Sequence, residues 1–122
     1  MSFLPAVQRE INNRRANDPV RLTLEYMMRH AVGRNNAVPL PTIVAHLQGA
    51  GASISETGFQ QTVLAASRDG DYFIGSGRHG YFLIDTIADA REMRDFYETR
   101  IRAEQQNLDN LRRQAQHLGW NI

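Results

Sequence analysis

The residues of this chain best suited to bind a ligand are Arg78 and His79, which stand among glycines in the stretch Gly75-Ser76-Gly77-Arg78-His79-Gly80. A guanidinium bordered by glycines can reach a phosphate or a groove of a nucleic acid with little steric hindrance. The stretch also matches G-x-G-x-x-G, but a dinucleotide site needs a helix directly after that motif. The apolar, strand-like run Tyr81 to Ile84 follows instead. The stretch therefore favours contact with nucleic acid, or else its glycines only satisfy the geometry of a turn.

The remaining titratable residues do not predict a metal site or a catalytic site. His30, His46, His79 and His117 are scattered without the spacing of metal ligands, and the chain has no cysteine. The acids between residues 85 and 98 interleave with arginines near the start of a helix, where negative charge is favourable. We therefore expect no enzyme activity, no metal and no cofactor.

The elements that position Arg78 and His79 are a hairpin and the helix before it. Two aromatic-rich runs flank the glycines and predict a β-hairpin with Arg78 and His79 at its tip. The preceding helix is capped by Ser55, with Ile54 and Phe59 spaced as a hydrophobic staple. Its apolar positions predict an inward face, made of Phe59, Val63 and Ala66, and a polar outward face, made of Thr57, Gln60, Gln61 and Arg68.

Three further helices are predicted before the helix that Ser55 caps. Residues 3 to 16 form a short amphipathic pattern, and Asp18-Pro19 is a start signal for a helix that Gly33 should end. Pro41 opens a further helix, and Val38 before it suits a pairing at a sheet edge.

A long C-terminal helix is predicted from Thr86 onward, because no proline or glycine occurs before Gly119. Its seam positions follow the 4, 3, 4, 3 spacing of a coiled coil, with Glu104 as a polar exception. The expected dimerisation residues are the other seam positions: Tyr97, Ile101, Leu108, Leu111, Ala115 and Leu118.

The order of helix, helix, turn, helix, hairpin and long helix resembles a winged helix-turn-helix DNA-binding domain followed by the dimerisation helix of PadR-type regulators. The expected fold class is thus mainly α with a small β-hairpin, a winged helix-turn-helix plus a long C-terminal coiled-coil helix. The expected divisions are an N-terminal amphipathic helix at 1–17, the winged-helix domain at 18–85 and the coiled-coil helix at 86–122.

The resemblance implies a homodimeric, sequence-specific DNA-binding protein, a bacterial, phage or plasmid transcription regulator. In such domains the third helix enters the major groove and the wing touches the DNA backbone or minor groove. Carried onto this chain, the DNA-binding residues would be Thr57, Gln60, Gln61, Arg68, Arg78 and His79, and further phosphate contacts are expected from Arg14, Arg15 and Arg34.

An alternative class is a non-enzymatic adaptor or inhibitor of the phage accessory type, which binds a protein through the same elements. The net charge of only +1 and the acidic Glu56 on the third helix favour it. With no apolar run long enough to span a membrane and no secretion signal, we expect a cytoplasmic protein. The expected partners are double-stranded DNA and a second copy of the chain, or, in the alternative class, another protein.

Overall fold

The computed structural model describes residues 2–122 and divides the chain into two compact units, Met1–Ala90 and Arg91–Ile122. The first unit contains short helices and a two-stranded antiparallel hairpin, and the second is formed by most of a long helix. In chain order the elements are α1 (Leu4–Asn12), α2 (Pro19–His30), a 3₁₀ turn (Arg34–Asn36), α3 (Leu40–Gly49), α4 (Glu56–Phe59), a π-helical segment (Gln60–Leu64), α5 (Ala65–Asp69), β1 (Ile74–Gly77), β2 (Gly80–Leu83) and α6 (Ile87–His117). The mainly helical class, the hairpin and the long C-terminal helix are thus confirmed.

The core of the first unit lies between α1, α2, α3, the α4–α5 stretch and the hairpin. The N-terminal amphipathic helix belongs to this core, since Val7 and Ile11 of α1 are buried and α1 packs against α2. The largest fully buried side chains come from every one of these layers: Val7, Leu24, Met27, Ile43, Leu47, Phe59, Val63 and Leu83.

Helix α2 begins as the sequence predicts and ends earlier. The Asp18 carboxylate accepts a hydrogen bond from the Val20 N–H at 2.8 Å, which satisfies one of the unpaired amides of the first turn. The helix ends at His30 rather than beside Gly33, because the carbonyl of Ala31 accepts from the Leu83 N–H at 2.7 Å. Pairing with β2 therefore draws the chain out of the helix before Gly33.

The hairpin pairs Ile74 with Leu83 and Gly77 with Gly80, leaving Arg78 and His79 as a two-residue tip. A third segment joins it, because Val38 and Tyr81 exchange two backbone hydrogen bonds of 2.9 Å each. The predicted edge pairing of Val38 is therefore confirmed.

Gly80 is required at this junction for two reasons. Its φ of +124° is a conformation that L side chains rarely adopt, and a Cβ there would collide with the carbonyl group of Val38. The backbone of the third segment thus passes directly over the base of the hairpin tip.

The α4, π-helical and α5 segments run without a break from Glu56 to Asp69, and we call them together the composite helix. The Ser55 hydroxyl accepts from the Gly58 N–H at 3.0 Å, which confirms the predicted cap. Phe59 and Val63 are fully buried as expected, and the next fully buried position is Ser67 rather than Ala66. A π-helical turn inserts about one residue into the helical repeat, so every position after it is displaced around the axis.

Helix α6 begins with a reciprocal cap inside the first unit. The Thr86 hydroxyl accepts from the Asp89 N–H at 3.2 Å, and the Asp89 carboxylate accepts from the Thr86 N–H at 3.2 Å. At its other end α6 closes with a Schellman motif, in which the N–H groups of Gly119 and Trp120 donate to the carbonyls of Gln116 and Ala115. Gly119, with a φ of +75°, provides the left-handed turn that this motif requires.

Candidate nucleic-acid interface

The hairpin tip presents its two basic side chains to solvent. Arg78 and His79 are both exposed, and neither forms a salt bridge within residues 2–122. The G-x-G-x-x-G stretch lies inside the hairpin and is followed by β2, so no helix N-terminus stands at its end. What the tip can do chemically is place a guanidinium and an imidazole against a polyanion.

The composite helix presents polar side chains on the side that faces away from the core. Thr57, Gln60 and Gln61 are exposed near its start, and Arg68 is exposed near its end. A glutamine amide matches the paired donor and acceptor of adenine, and a threonine methyl can contact thymine. Because the π-helical turn displaces later positions by roughly 100°, Arg68 does not continue the line of Thr57 and Gln61 as it would on a regular helix.

The composite helix packs directly against the hairpin. The rings of Phe59 and Tyr81 meet edge to face with centroids 5.5 Å apart, and Tyr81 is also the residue that binds Val38. This contact fixes the helix beside the strand that leads away from the tip. The two groups of expected DNA-binding residues therefore lie on adjacent elements of one core.

The charge around these residues is mixed. Arg68 and Arg78 are the two guanidiniums on the composite helix and the tip, whereas Glu56, Asp69 and Asp71 are exposed carboxylates on the same stretch of chain. Polyanion binding draws on a positive field, and this surface supplies only a weak one.

Two of the further arginines are already bound by carboxylates. Arg14 forms salt bridges of 2.7 Å to Glu10 and 3.2 Å to Asp18, and the hydrogen bond that its guanidinium donates to the Glu10 carboxylate raises the Arg14 pKa despite partial burial. Arg34 lies 3.8 Å from the buried carboxylate of Asp89. Arg15 is exposed and makes no salt bridge within residues 2–122. Of the three, Arg15 is therefore the best placed to meet a phosphate.

One cluster of rings was not foreseen from the sequence. Tyr26 lies between His30 and His46, with ring centroids 4.8 Å and 4.5 Å apart, and so joins α2 to α3. The spacing of Tyr26 and His30 by four residues was the available signal, but the pairing with His46 depends on how the two helices pack. Within residues 2–122, no group of three His, Asp or Glu side chains is arranged to hold a metal ion.

The expected dimerisation residues occupy one side of α6 within the second unit. Five of them are large and leave much of their surface open to solvent: Tyr97 (36%), Leu108 (39%), Leu111 (53%), Leu118 (64%) and Ile101 (67%). Ala115 differs from them, since it is 3% exposed within the single chain. The seam therefore offers its apolar surface mainly between Tyr97 and Leu111.

No protein-family model, curated protein or solved structure matches this chain. Among residues 2–122, no helix is both long enough and apolar enough to cross a membrane.

Proposed function

We propose that this chain is a homodimeric, sequence-specific DNA-binding protein of the winged helix-turn-helix type, and that it acts as a transcription regulator of a bacterium, phage or plasmid. The observation that carries the proposal is the packing of the composite helix on the hairpin through Phe59 and Tyr81, with polar helix side chains and the basic tip both exposed. In this arrangement the composite helix is the recognition helix, and the hairpin is the wing.

Each named residue then has a chemical role. Gln60 and Gln61 read adenine edges in the major groove, and Thr57 contacts a thymine methyl. Arg68, Arg78 and His79 contact phosphates, and Arg78, with Gly77 directly before it, can enter a minor groove with little steric hindrance on that side.

The test is a selection of bound duplexes from a random pool, followed by titration of the recovered site. The proposal requires a recovered motif, and a Gln60→Ala, Gln61→Ala protein that loses preference for it while keeping its affinity for unrelated duplex. Gln8→Ala on α1 is the matched control, because Gln8 is an exposed glutamine on a different helix. A pool from which no motif emerges would remove base reading from the proposal.

A second candidate function is favoured by the mixed charge of the same surface. Because Glu56, Asp69 and Asp71 are exposed on the same stretch of chain as Arg68 and Arg78, the composite helix and the tip also suit a protein partner of mixed charge, as in an adaptor or inhibitor. Light scattering with and without a mixed pool of duplexes distinguishes the two, because only the DNA-binding protein gains mass in the presence of the pool.

A further inference from the structure

The apolar side of α6 is exposed, and the charged residues on and beside it, Glu104, Glu98 and Arg112, restrict how a second helix can pack there. From Tyr97 to Leu111 the seam shows four large apolar side chains to solvent on a single helix. An exposed apolar stripe with coiled-coil spacing is the usual signature of a helix that pairs with another. The proposed homodimer makes a second copy of α6 the natural occupant, and the inference below depends on that dimer but not on DNA binding.

The position of Glu104 argues against a parallel pair. Counting the heptad from Ile101 as position a places Leu108 at a, and Glu104 and Leu111 at d. In a parallel dimer each d residue faces its own copy, so two Glu104 carboxylates would meet inside the seam. Two like charges brought together away from water are strongly disfavoured.

We infer that two copies of α6 pair antiparallel, with Ile101 of one chain beside Leu111 of the other. This register places Glu104 at the level of Leu108 of the second copy, so the two carboxylates lie in neighbouring layers, about 6 Å apart along the axis, instead of in one layer. Apolar layers remain on both sides of these positions, formed by Ile101 with Leu111 and, further out, by Tyr97 with Ala115, once towards each end of the paired stretch.

Charges beside the seam select the same register. Antiparallel coiled coils bring positions e of the two chains together, and this register pairs Glu98 of one chain with Arg112 of the other, twice per dimer. Both residues are exposed, and neither forms a salt bridge within residues 2–122. A parallel pair would instead set Glu98 beside Met93 and Arg112 beside Asn107, with no opposite charges meeting.

The two residues cannot satisfy each other within one chain. Fourteen positions separate Glu98 from Arg112, which is about 21 Å along a helix. Their complementarity is therefore available only between copies.

The two-fold axis of this dimer passes between Gln105 and Asn107 of each chain. Gln105 then faces its own copy, while Ile101 lies about 15 Å along the axis from its copy. A parallel dimer has the opposite pattern, with Ile101 next to its copy and the two Gln105 side chains on opposite sides of the pair.

Cysteine cross-linking separates the two arrangements, because the natural chain contains no cysteine. Gln105→Cys and Ile101→Cys proteins are oxidised mildly, or treated with a short bismaleimide, and examined on non-reducing gels. We expect a covalent dimer from Gln105→Cys, none from Ile101→Cys alone, and a mixed dimer when Ile101→Cys is combined with Leu111→Cys. A covalent dimer from Ile101→Cys alone, or a dimeric Gln105→Cys protein that does not cross-link, overturns the inference.

Reversing the charges of Glu98 and Arg112 tests the register through the dimerisation equilibrium constant. Glu98→Arg and Arg112→Glu should each weaken dimerisation about five- to tenfold, since each creates two repulsive pairs per dimer. The double variant should return to within about twofold of the natural chain, because both pairs are rebuilt with reversed sign. Arg113→Glu is the control, because its position points away from the seam and should leave the dimer unchanged; a double variant no tighter than the singles contradicts the register.

The two proposals fail separately. A chain that cross-links as an antiparallel dimer but recovers no DNA motif loses the proposed function and keeps this inference. A monomer by light scattering overturns this inference and the homodimeric part of the proposed function, and the duplex selection then decides DNA binding by itself.

Discussion

The hydroxyl group of Tyr72 is buried without a hydrogen-bond partner in the part of the chain that the structure describes, and this predicts the effect of removing it on stability. Tyr72 is 3% exposed, and its hydroxyl is the one buried side-chain polar atom in residues 2–122 without a hydrogen-bond partner. A buried donor left unpaired costs about 1–3 kcal/mol. We therefore expect Tyr72→Phe to raise the free energy of unfolding by about 1 kcal/mol in urea titrations. Tyr81→Phe, which removes a hydroxyl from a half-buried residue, should give no gain, and a loss of stability in Tyr72→Phe would contradict the expectation.

The same hydroxyl predicts how stability changes at alkaline pH. Burial, aided by the charge of Glu10, raises the pKa of Tyr72 to about 12. Because the pKa of Tyr72 in the folded chain lies above the unfolded value of about 10, folding favours the protonated hydroxyl over the ionised one. The stability that depends on this proton is fully present below about pH 10 and is lost as the pH rises towards 12. The chain has no lysine and no cysteine, so few other groups titrate in this window. Between about pH 9 and about pH 11.5, the natural chain should lose about 2 kcal/mol that Tyr72→Phe retains.

The carboxylate of Asp89 has a lowered pKa, so we expect a loss of stability at acidic pH. Burial alone would raise its pKa, but backbone N–H groups of Asp85, Thr86 and Arg34, with the Arg34 guanidinium, together lower it. Because the folded pKa lies below the unfolded value, its contribution is present above about pH 4 and is lost as the pH falls. We expect Asp89→Ala to cost about 2 kcal/mol at neutral pH and to unfold with a weaker acid dependence. Asp71→Ala, at an exposed turn, is the control and should change neither.

The two glycines beside the hairpin tip, Gly77 and Gly80, should differ in how well they tolerate substitution by alanine. Gly80→Ala places a methyl group against the Val38 carbonyl in a backbone conformation that alanine resists, so it should cost about 2–4 kcal/mol or open the hairpin. Gly77→Ala lacks both problems, since its φ is not positive and the nearest side-chain atom would lie 4.0 Å away. Urea titration of the two variants measures the difference. Equal stability would mean that the third segment does not pass over the tip.

Local signals account for the parts of the fold that the sequence predicted correctly. The caps at Asp18 and Ser55, the glycine-rich reversal and the uninterrupted stretch before Gly119 each depend on a few neighbouring residues. The inward positions Phe59 and Val63 follow from a simple helical repeat. These features needed no knowledge of which elements meet.

Features that depend on distant partners were missed or misplaced. Helix α2 ends before Gly33 because Ala31 pairs with Leu83, which lies more than fifty residues further along the chain. Ala66 packs against the core as expected but is only partly buried, whereas Ser67 beside it is fully buried, because a π-helical turn precedes both residues. The buried role of Asp89 could not be read from its neighbours either, because one of its donors is the backbone of Arg34. For the expected interface, the sequence could identify exposed residues, but it could not show that Arg14 and Arg34 are bound by carboxylates.

For the whole molecule, the proposed function predicts a shallow dependence of DNA affinity on salt. Each phosphate neutralised by the protein contributes about −0.9 to the slope of log affinity against log salt concentration. If Arg68 and Arg78 each meet one phosphate per chain, a dimer gives a slope of about −4, far shallower than that of a strongly basic repressor.

Removing Arg78 should therefore change the slope by a fixed amount as well as weaken binding. Arg78→Ala deletes two phosphate contacts from the dimer, so the slope should fall in magnitude by about 2 on every duplex, matched or unmatched. Arg9→Ala is the control, because Arg9 is exposed on α1, outside the proposed interface. Fluorescence anisotropy at several salt concentrations measures both slopes. A slope that Arg78→Ala leaves unchanged would separate the hairpin tip from the DNA backbone, and it would shift the balance towards a protein partner on the composite helix.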